Sequence, residues 1–527
     1  MSRIRIRILL LPLALAACGM GTTPTSSSST TTASPAPAQT TAAGGTTSAP
    51  SAAVTDGGTL RIALAFAPRA GLAVASDDAF VLSRLGITET LTRAEITGAA
   101  GPLLATGWSQ SNPTTWRFTI RDGVRFHDGS ALDAAAVARS LNAVASVSAP
   151  PRAVRGVGLA AVAIDERTVD VTTTAPDPLL PLRLSAPGTA IVVASATTSS
   201  TATPLGTGPF RLDTYVPDEQ LTLVRNQRYW GTSARLDGVV ARIIPDPAAR
   251  ANALRAGDID IAEGIPAAQL PSITADSKLT ASVYDLPRTT SLYVNTRKPP
   301  LDRVEVRQAL QAAIDRPALA RALLDGAAAP AAGYFGPAVG WDPDPSGPPF
   351  DPARAKSLLA GAGVGPLSLM LWTYPGRAEL PELAAAVQDM LRQVGVTATI
   401  TVAEYSTLEP KVLGGEHDLF LLSRSYVTDV PDGAAFLTSD HTCNGSYNLN
   451  RYCSEDFDRV LTQLASSSDP ATRTRLVGGA ALQLSDRVIG IPLVHDKARI
   501  GLSRRVEGFR PDPLEQRLVT SELSLAR

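Results

Sequence analysis

From Thr115 to Ile120 the chain alternates, with Trp116, Phe118 and Ile120 on one face and Arg117 and Thr119 on the other. A period of two over this length predicts a half-buried strand. Asp122-Gly123 tolerates positive φ and predicts a tight hairpin, with Val124 and Phe126 resuming the alternation as a return strand. His127-Asp128-Gly129-Ser130 breaks the pattern. Asp133 then stands where it can cap a helix whose apolar face carries Val137 and Leu141. Strand, turn, strand, turn and capped helix make an α/β unit.

Similar patterns recur along the chain. Residues 57–64 read as an opening strand, and residues 164–173 as another, led by the turn Asp165-Glu166-Arg167. Residues 206–210 form a glycine turn, followed by an alternating strand at 223–226 and an aromatic pair, Tyr229-Trp230, that should pack on a sheet. Pro247 opens a helix that Gly257 ends, and Ile259 and Ile261 begin a strand. Residues 292–295 predict a short strand, and residues 306–316 an amphipathic helix. Asp351 caps a further helix with Pro352 in its first turn, and residues 491–494 read as a late strand.

The N-terminus has a different grammar. Arg3, Arg5 and Arg7 precede a short apolar run, residues 8–17, that ends in Leu15-Ala16-Ala17-Cys18-Gly19. The run is too short to span a bilayer core of about 30 Å and reads as an export signal. Small residues before Cys18 match a bacterial lipobox, so residues 1–18 are expected to be a lipoprotein signal with Cys18 as the lipidated residue. Residues 19–54 are almost wholly Ser, Thr, Pro, Ala and Gly, which predicts a tether rather than a core. The remaining body is long enough for two or three lobes, given 527 residues of which 44% are hydrophobic. A net charge of -1 offers no field for nucleic acid or an anionic membrane.

The wording of residues 115–142 resembles the signature of family 5 solute-binding proteins, the peptide- and nickel-binding components of ABC importers. The family pattern there is "LR-GVKFHDG-PL-A-DV--SL"; this chain has IRDGVRFHDGSALDAAAVARSL. Further blocks in family order are GGTLRIA at 57, LTRAEITGAAGPLLATGW at 91, GTGPF at 206 with RN at 225 and YW at 229, and the stretch 243–263. VRQAL at 306 with AIDR at 313, FDP at 350 and IPLV at 491 complete the set. The resemblance implies an α/β periplasmic-binding-protein fold with two lobes, an inserted third domain and two crossover strands, near 292–296 and 491–494. The implied division is lobe I at 55–90, 200–291 and 492–527, inserted domain II at 91–199, and lobe III at 292–491. Ligand would sit between the lobes, enclosed by hinge closure.

The stretch from Tyr426 to Gly433 is similar to the family's "W--D--DP" loop, with Tyr for Trp at 426 and Gly for Pro at 433. In peptide-binding members the first Asp of that loop pairs with the ligand's ammonium, which implies that role for Asp429; Asp432 matches the second Asp. Arg377 stands about where dipeptide-binding members carry an arginine for the ligand carboxylate, and Arg424 competes for that role. Cys443 and Cys453 are expected to form a disulfide, since an exported chain meets an oxidising compartment.

Enzyme motifs are absent: there is no GxSxG, HExxH, CxxC or P-loop, and the four histidines form no HxH or HxxxH pair. No enzyme activity, cofactor or direct metal site is expected. The expected molecule is a monomeric lipoprotein on the outer face of the cell membrane, attached by its lipid only. Its partners would be a short peptide and the permease and ATPase subunits of an importer. The alternatives are the same fold holding a nickel chelate, haem, an opine or a sugar, or a peptide sensor without transport.

Overall fold

The computed structural model describes residues 54–526 apart from 97, 194–203, 325–326, 342–346, 378, 428 and 468. The leader, Cys18 and residues 19–53 lie outside these residues.

The Thr115–Ile120 strand is central to a four-stranded antiparallel sheet, flanked by Ala105–Asn112 and Thr168–Thr172, with Ala160–Ala163 at the edge. Phe118 and Ile120 are buried beneath it, as the alternation requires. The Ala134–Ala145 helix covers this face with Val137, Leu141 and Val144. Its cap is Asp133, whose carboxylate accepts the Ala136 N–H at 2.6 Å. The expected return strand at Val124 and Phe126 does not form. Only an isolated bridge joins Arg125 to Ala131, because both ladder edges of Thr115–Ile120 are already paired by strands from elsewhere.

The larger sheet has eleven strands among the described residues. At one end Thr59–Leu64 lies parallel to Gly238–Ile243 and Ile261–Ala262, with Gln220–Arg225 and Phe210–Val216 added antiparallel. At the other end Leu367–Thr373 lies parallel to Val396–Val402 and Leu419–Ser425. The Pro247–Ala256 helix ends at Gly257, whose φ of 79° is the left-handed stop that glycine supplies. The Asp351 side chain caps Pro352–Gly361 through the Arg354 N–H.

Two long strands join the ends. Leu279–Val294 and Gly490–Ser503 pair with each other antiparallel along both halves. The first also pairs with Leu419–Ser425, and the second with Ile261–Ala262. The short strand expected at 292–295 is therefore the tail of one 16-residue strand. Its ladder breaks between Asp285 and Thr289, around Pro287, which has no N–H to donate and is tolerated at such an irregularity. The helix expected over 306–316 is two, Val304–Ala312 and Arg316–Leu324; Pro317 restarts the helix and the Asp315 carboxylate accepts the Ala318 N–H.

Tyr229 and Trp230 do more than pack. Their OH and Nε1–H each donate at 2.8 Å to the buried Glu89 carboxylate, which Thr207 also reaches at 2.7 Å. Three donors face that carboxyl, yet burial outweighs them and raises its pKa above the ordinary value. The apolar cluster under the four-stranded sheet is continuous with Val427, Val430 and Phe436, so one core reaches from this sheet to the loop that carries Asp429.

Candidate functional site

The Leu419–Ser425 strand runs into that loop, and the loop into the Gly433–His441 helix. Asp432 caps the helix, accepting the Ala434 and Ala435 N–H groups at 2.9 and 3.1 Å. Both its oxygens also accept from Arg473 Nη2, at 2.6 and 2.7 Å, in a buried pair. Asp432 is thereby held inside the protein. The Tyr426 hydroxyl accepts the Gly336 N–H at 2.7 Å, and its ring packs edge-on against Phe335 and Phe436. These two residues shape the loop and face away from solvent.

Asp429 behaves differently. Its side chain stays 23% exposed at the meeting of three parts of the chain. Arg152, from the part of the chain that carries the four-stranded sheet, donates Nε to Oδ1 at 2.9 Å. Arg424 reaches Oδ2 at 3.4 Å, and Asp77, beyond Thr59–Leu64, lies 3.6 Å from Arg152 Nη2. Burial works to raise the Asp429 pKa, but the Arg424 and Arg152 charges outweigh it and hold the group below the ordinary carboxylate value. Asp429 is a partly open anion at neutral pH.

Arg424 is less available. Its Nε and Nη2 donate to Asp440 at 2.9 and 3.0 Å, and its guanidinium lies over the Tyr447 ring at 4.5 Å. This buried pair fixes the arginine from behind and leaves Asp429 a secondary contact.

Arg377 stands apart from this cluster. Its carbonyl accepts the Leu380 N–H at 3.1 Å, but its guanidinium has no hydrogen bond or ion pair among the described residues. Burial disfavours its charge, but Asp496, Glu515 and Glu379 around it hold the pKa above the ordinary value. The neighbours are themselves paired. Arg288 meets Glu515 at 2.9 Å, and Arg499 meets Glu379 at 3.0 Å. Asp496 accepts from Thr290 at 2.9 Å and from Ser423, and burial raises its pKa against the Arg377 charge. The band lies where the two long strands cross between the halves of the sheet.

Residues 99–448 match the family described as bacterial extracellular solute-binding proteins, family 5. The chain belongs to that family. The probable di/tripeptide-binding protein 5 of Pseudomonas aeruginosa is 30% identical over 318 residues, 59% of this chain and 60% of that protein. The matched stretch thus spans about three fifths of that relative's length. The glutathione-binding protein GsiB of Escherichia coli is 29% identical over 415 residues, 75% of this chain and 80% of that one. The periplasmic binding protein DppA of Helicobacter pylori, solved with the peptide STSA, superposes with a TM-score of 0.79 at 22% identity, over 90% of this chain and 99% of that one. That likeness shows the family 5 fold, a two-lobed binding protein.

Asp429 and Arg424 lie together, Arg377 lies in a separate charged band, Asp432 is paired with Arg473, and Tyr426 is buried against Phe335 and Phe436. The sulfurs of Cys443 and Cys453 are bonded, with Cα atoms 4.2 Å apart. Among the described residues no group of three or more His, Cys, Asp and Glu could hold a metal ion, and no helix is long and apolar enough to cross a membrane. Sequence reading missed Arg152, Asp440 and Asp496. Arg152 follows Pro150-Pro151 in a stretch without periodicity and meets Asp429 across 277 residues, so no local signal marks it. Asp440 lies four residues after a helical phenylalanine and one before His441, a position that reads as an ordinary helix end.

Proposed function

We propose that this chain is the extracytoplasmic substrate-binding component of an ABC importer, holding short peptides between two lobes and passing them to a membrane permease. The observation that carries this reading is Asp429. It is ionised, partly open and placed where three parts of the chain meet, as an anchor for a ligand ammonium requires. The relatives named for di- and tripeptides and for glutathione favour the same cargo class. Arg377, whose guanidinium has no partner among the described residues, is the better candidate for a ligand carboxylate, because Arg424 is committed to Asp440. Lobe I at 55–90, 200–291 and 492–527, domain II at 91–199 and lobe III at 292–491 would close as bodies about the two long strands. Cys18 would carry the lipid that keeps a monomer at the outer face of the cell membrane.

Native mass spectrometry of the protein purified without added ligand tests the cargo. Bound masses that dissociate into short peptides support the reading. A single non-peptide mass would retain the binding fold and overturn the cargo, along with the role of Asp429.

A further inference from the structure

Two buried arginines are bonded to the start of the Gly490–Ser503 strand and the residues before it, and neither forms an ion pair among the described residues. Arg307 is satisfied by carbonyls alone. Its Nε, Nη1 and Nη2 donate to Leu301, Asp302, Arg487 and Val488 at distances from 2.7 to 3.3 Å. Arg316, 3% exposed, is not satisfied. Its Nε donates to the Pro492 carbonyl at 2.7 Å and its Nη1 reaches the Pro348 carbonyl only at 3.5 Å. Its Nη2 has no hydrogen-bond partner among the described residues. Burial pushes its pKa down to about 10, and no carboxylate among the described residues offsets that. Arg316 is therefore still a cation at neutral pH, and a buried cation without a counterion is costly.

Arg316 also forms part of the wall of a cavity of about 320 Å³. Gln308 and Gln311 of the Val304–Ala312 helix line the same cavity, with Ser485 of Pro470–Asp486 and Arg354 of Pro352–Gly361. Arg354 is exposed, and its guanidinium has no hydrogen bond or ion pair among the described residues. The one acid among the described lining residues, Asp486, is exposed and pairs with neither arginine. Two guanidinium groups, two amides and a hydroxyl thus share one space. A carboxylate has two oxygens and a single charge, enough for one guanidinium fork. A phosphate group carries between about -1.5 and -2 charges at neutral pH and three strong acceptor oxygens, enough for both arginines and the neutral donors.

We infer that this cavity is a second ligand site, which binds a phosphate group between buried Arg316 and exposed Arg354. None of the residues proposed to hold a peptide lines it. Its occupant would neutralise a buried charge bonded to one of the two strands that join the halves of the large sheet, so binding should also stabilise the fold.

Calorimetric titration of the purified full chain with inorganic phosphate tests the site, with chloride holding the ionic strength constant. One equivalent should bind with a Kd below about 1 mM, and the melting temperature should rise with phosphate concentration. Glycerol phosphate in the same titration distinguishes the source. Binding as tight as that of inorganic phosphate or tighter assigns the site to a phosphate ester, and weaker binding assigns it to the free ion. Arg354→Gln, at an exposed position, should weaken phosphate binding about tenfold, and Arg316→Gln should abolish it. Arg392→Gln, which changes an exposed arginine paired with Asp389 elsewhere, should leave it unchanged. If thermal melting shows that Arg316→Gln does not fold, Arg354→Gln decides. Absence of phosphate binding, tighter binding of acetate than of phosphate, unchanged affinity in Arg354→Gln, or an equal loss in Arg392→Gln overturns the inference.

Discussion

Asp429 and Asp432 are three residues apart and do unrelated work. Asp432 caps a helix and neutralises Arg473 in a buried pair. Asp432→Ala removes the cap and strands the guanidinium, at a cost of about 3–5 kcal/mol. Asp429 is partly open, and its Arg424 partner retains Asp440. Asp429→Asn should therefore change stability by only about 1 kcal/mol, while weakening peptide binding more than tenfold. Chemical denaturation and calorimetry on the two variants separate these effects. A stable Asp432→Ala protein, or an Asp429→Asn protein of unchanged affinity, would refute the corresponding assignment. The resemblance gave the ammonium role to Asp429 and matched Asp432 to the second acid, but their partners could not be read, since Arg473 and Arg152 are supplied by other segments.

Among the elements, the Gly433–His441 and Glu455–Ser466 helices are tied together twice. The Cys443–Cys453 bond joins the segment after the first to the segment before the second, and the Cys443 N–H donates to Asp458 in the first turn of the second. With a sequence separation of 10, loss of the crosslink releases chain entropy worth about 3 kcal/mol. The Cys443→Ser/Cys453→Ser protein should show that loss in its denaturation midpoint. A midpoint equal to that of the oxidised wild type would mean that the helices hold the loop unaided. The same scale shows where periodicity is a good guide and where it stops. Helices with an aspartate cap and a glycine or proline boundary were legible, as at Asp133, Pro247 and Asp351. The hairpin at Asp122-Gly123 was misread because strand partners are chosen by the sheet, and the alternation of Val124 and Phe126 is equally satisfied by burial without a ladder.

In the whole molecule, all four histidines lie at sites that oppose protonation. Burial lowers His127, His417 and His495 to about 4 and His441 to about 3. In the unfolded chain histidine titrates near 6.5. Between those values the unfolded state binds protons that the folded state does not, so stability falls as pH drops from about 6.5 towards 4. A fully buried histidine contributes about 1.4 kcal/mol per pH unit within that window. Asp440 and Asp496, whose pKa values burial raises, act in the opposite direction, and Asp429, Glu379 and Glu515, whose pKa values are lowered, act with the histidines. His441 is 1% exposed, and neither ring nitrogen has a hydrogen-bond partner among the described residues. Thermal melting from pH 7 to 4 should therefore show a shallower decline for His441→Phe than for wild type. Parallel declines would show that His441 is not part of the acid response.

Local pattern was enough to recover the family, the order of most elements, their caps and the acidic loop, because each depends on residues within a turn or a strand of one another. It also pointed to Asp429 through the motif around it. The long strands could not be read to their full length, because Pro287 interrupts the pattern and only pairing with Gly490–Ser503 carries the ladder past it. The Arg152 partner of Asp429 comes from 277 residues away and the Arg473 partner of Asp432 from 41, and the separation of Arg377 from Arg424 is likewise set by the packing of different segments. Charge pairing across such distances leaves no period in the chain, so it emerges only when packing brings the segments together.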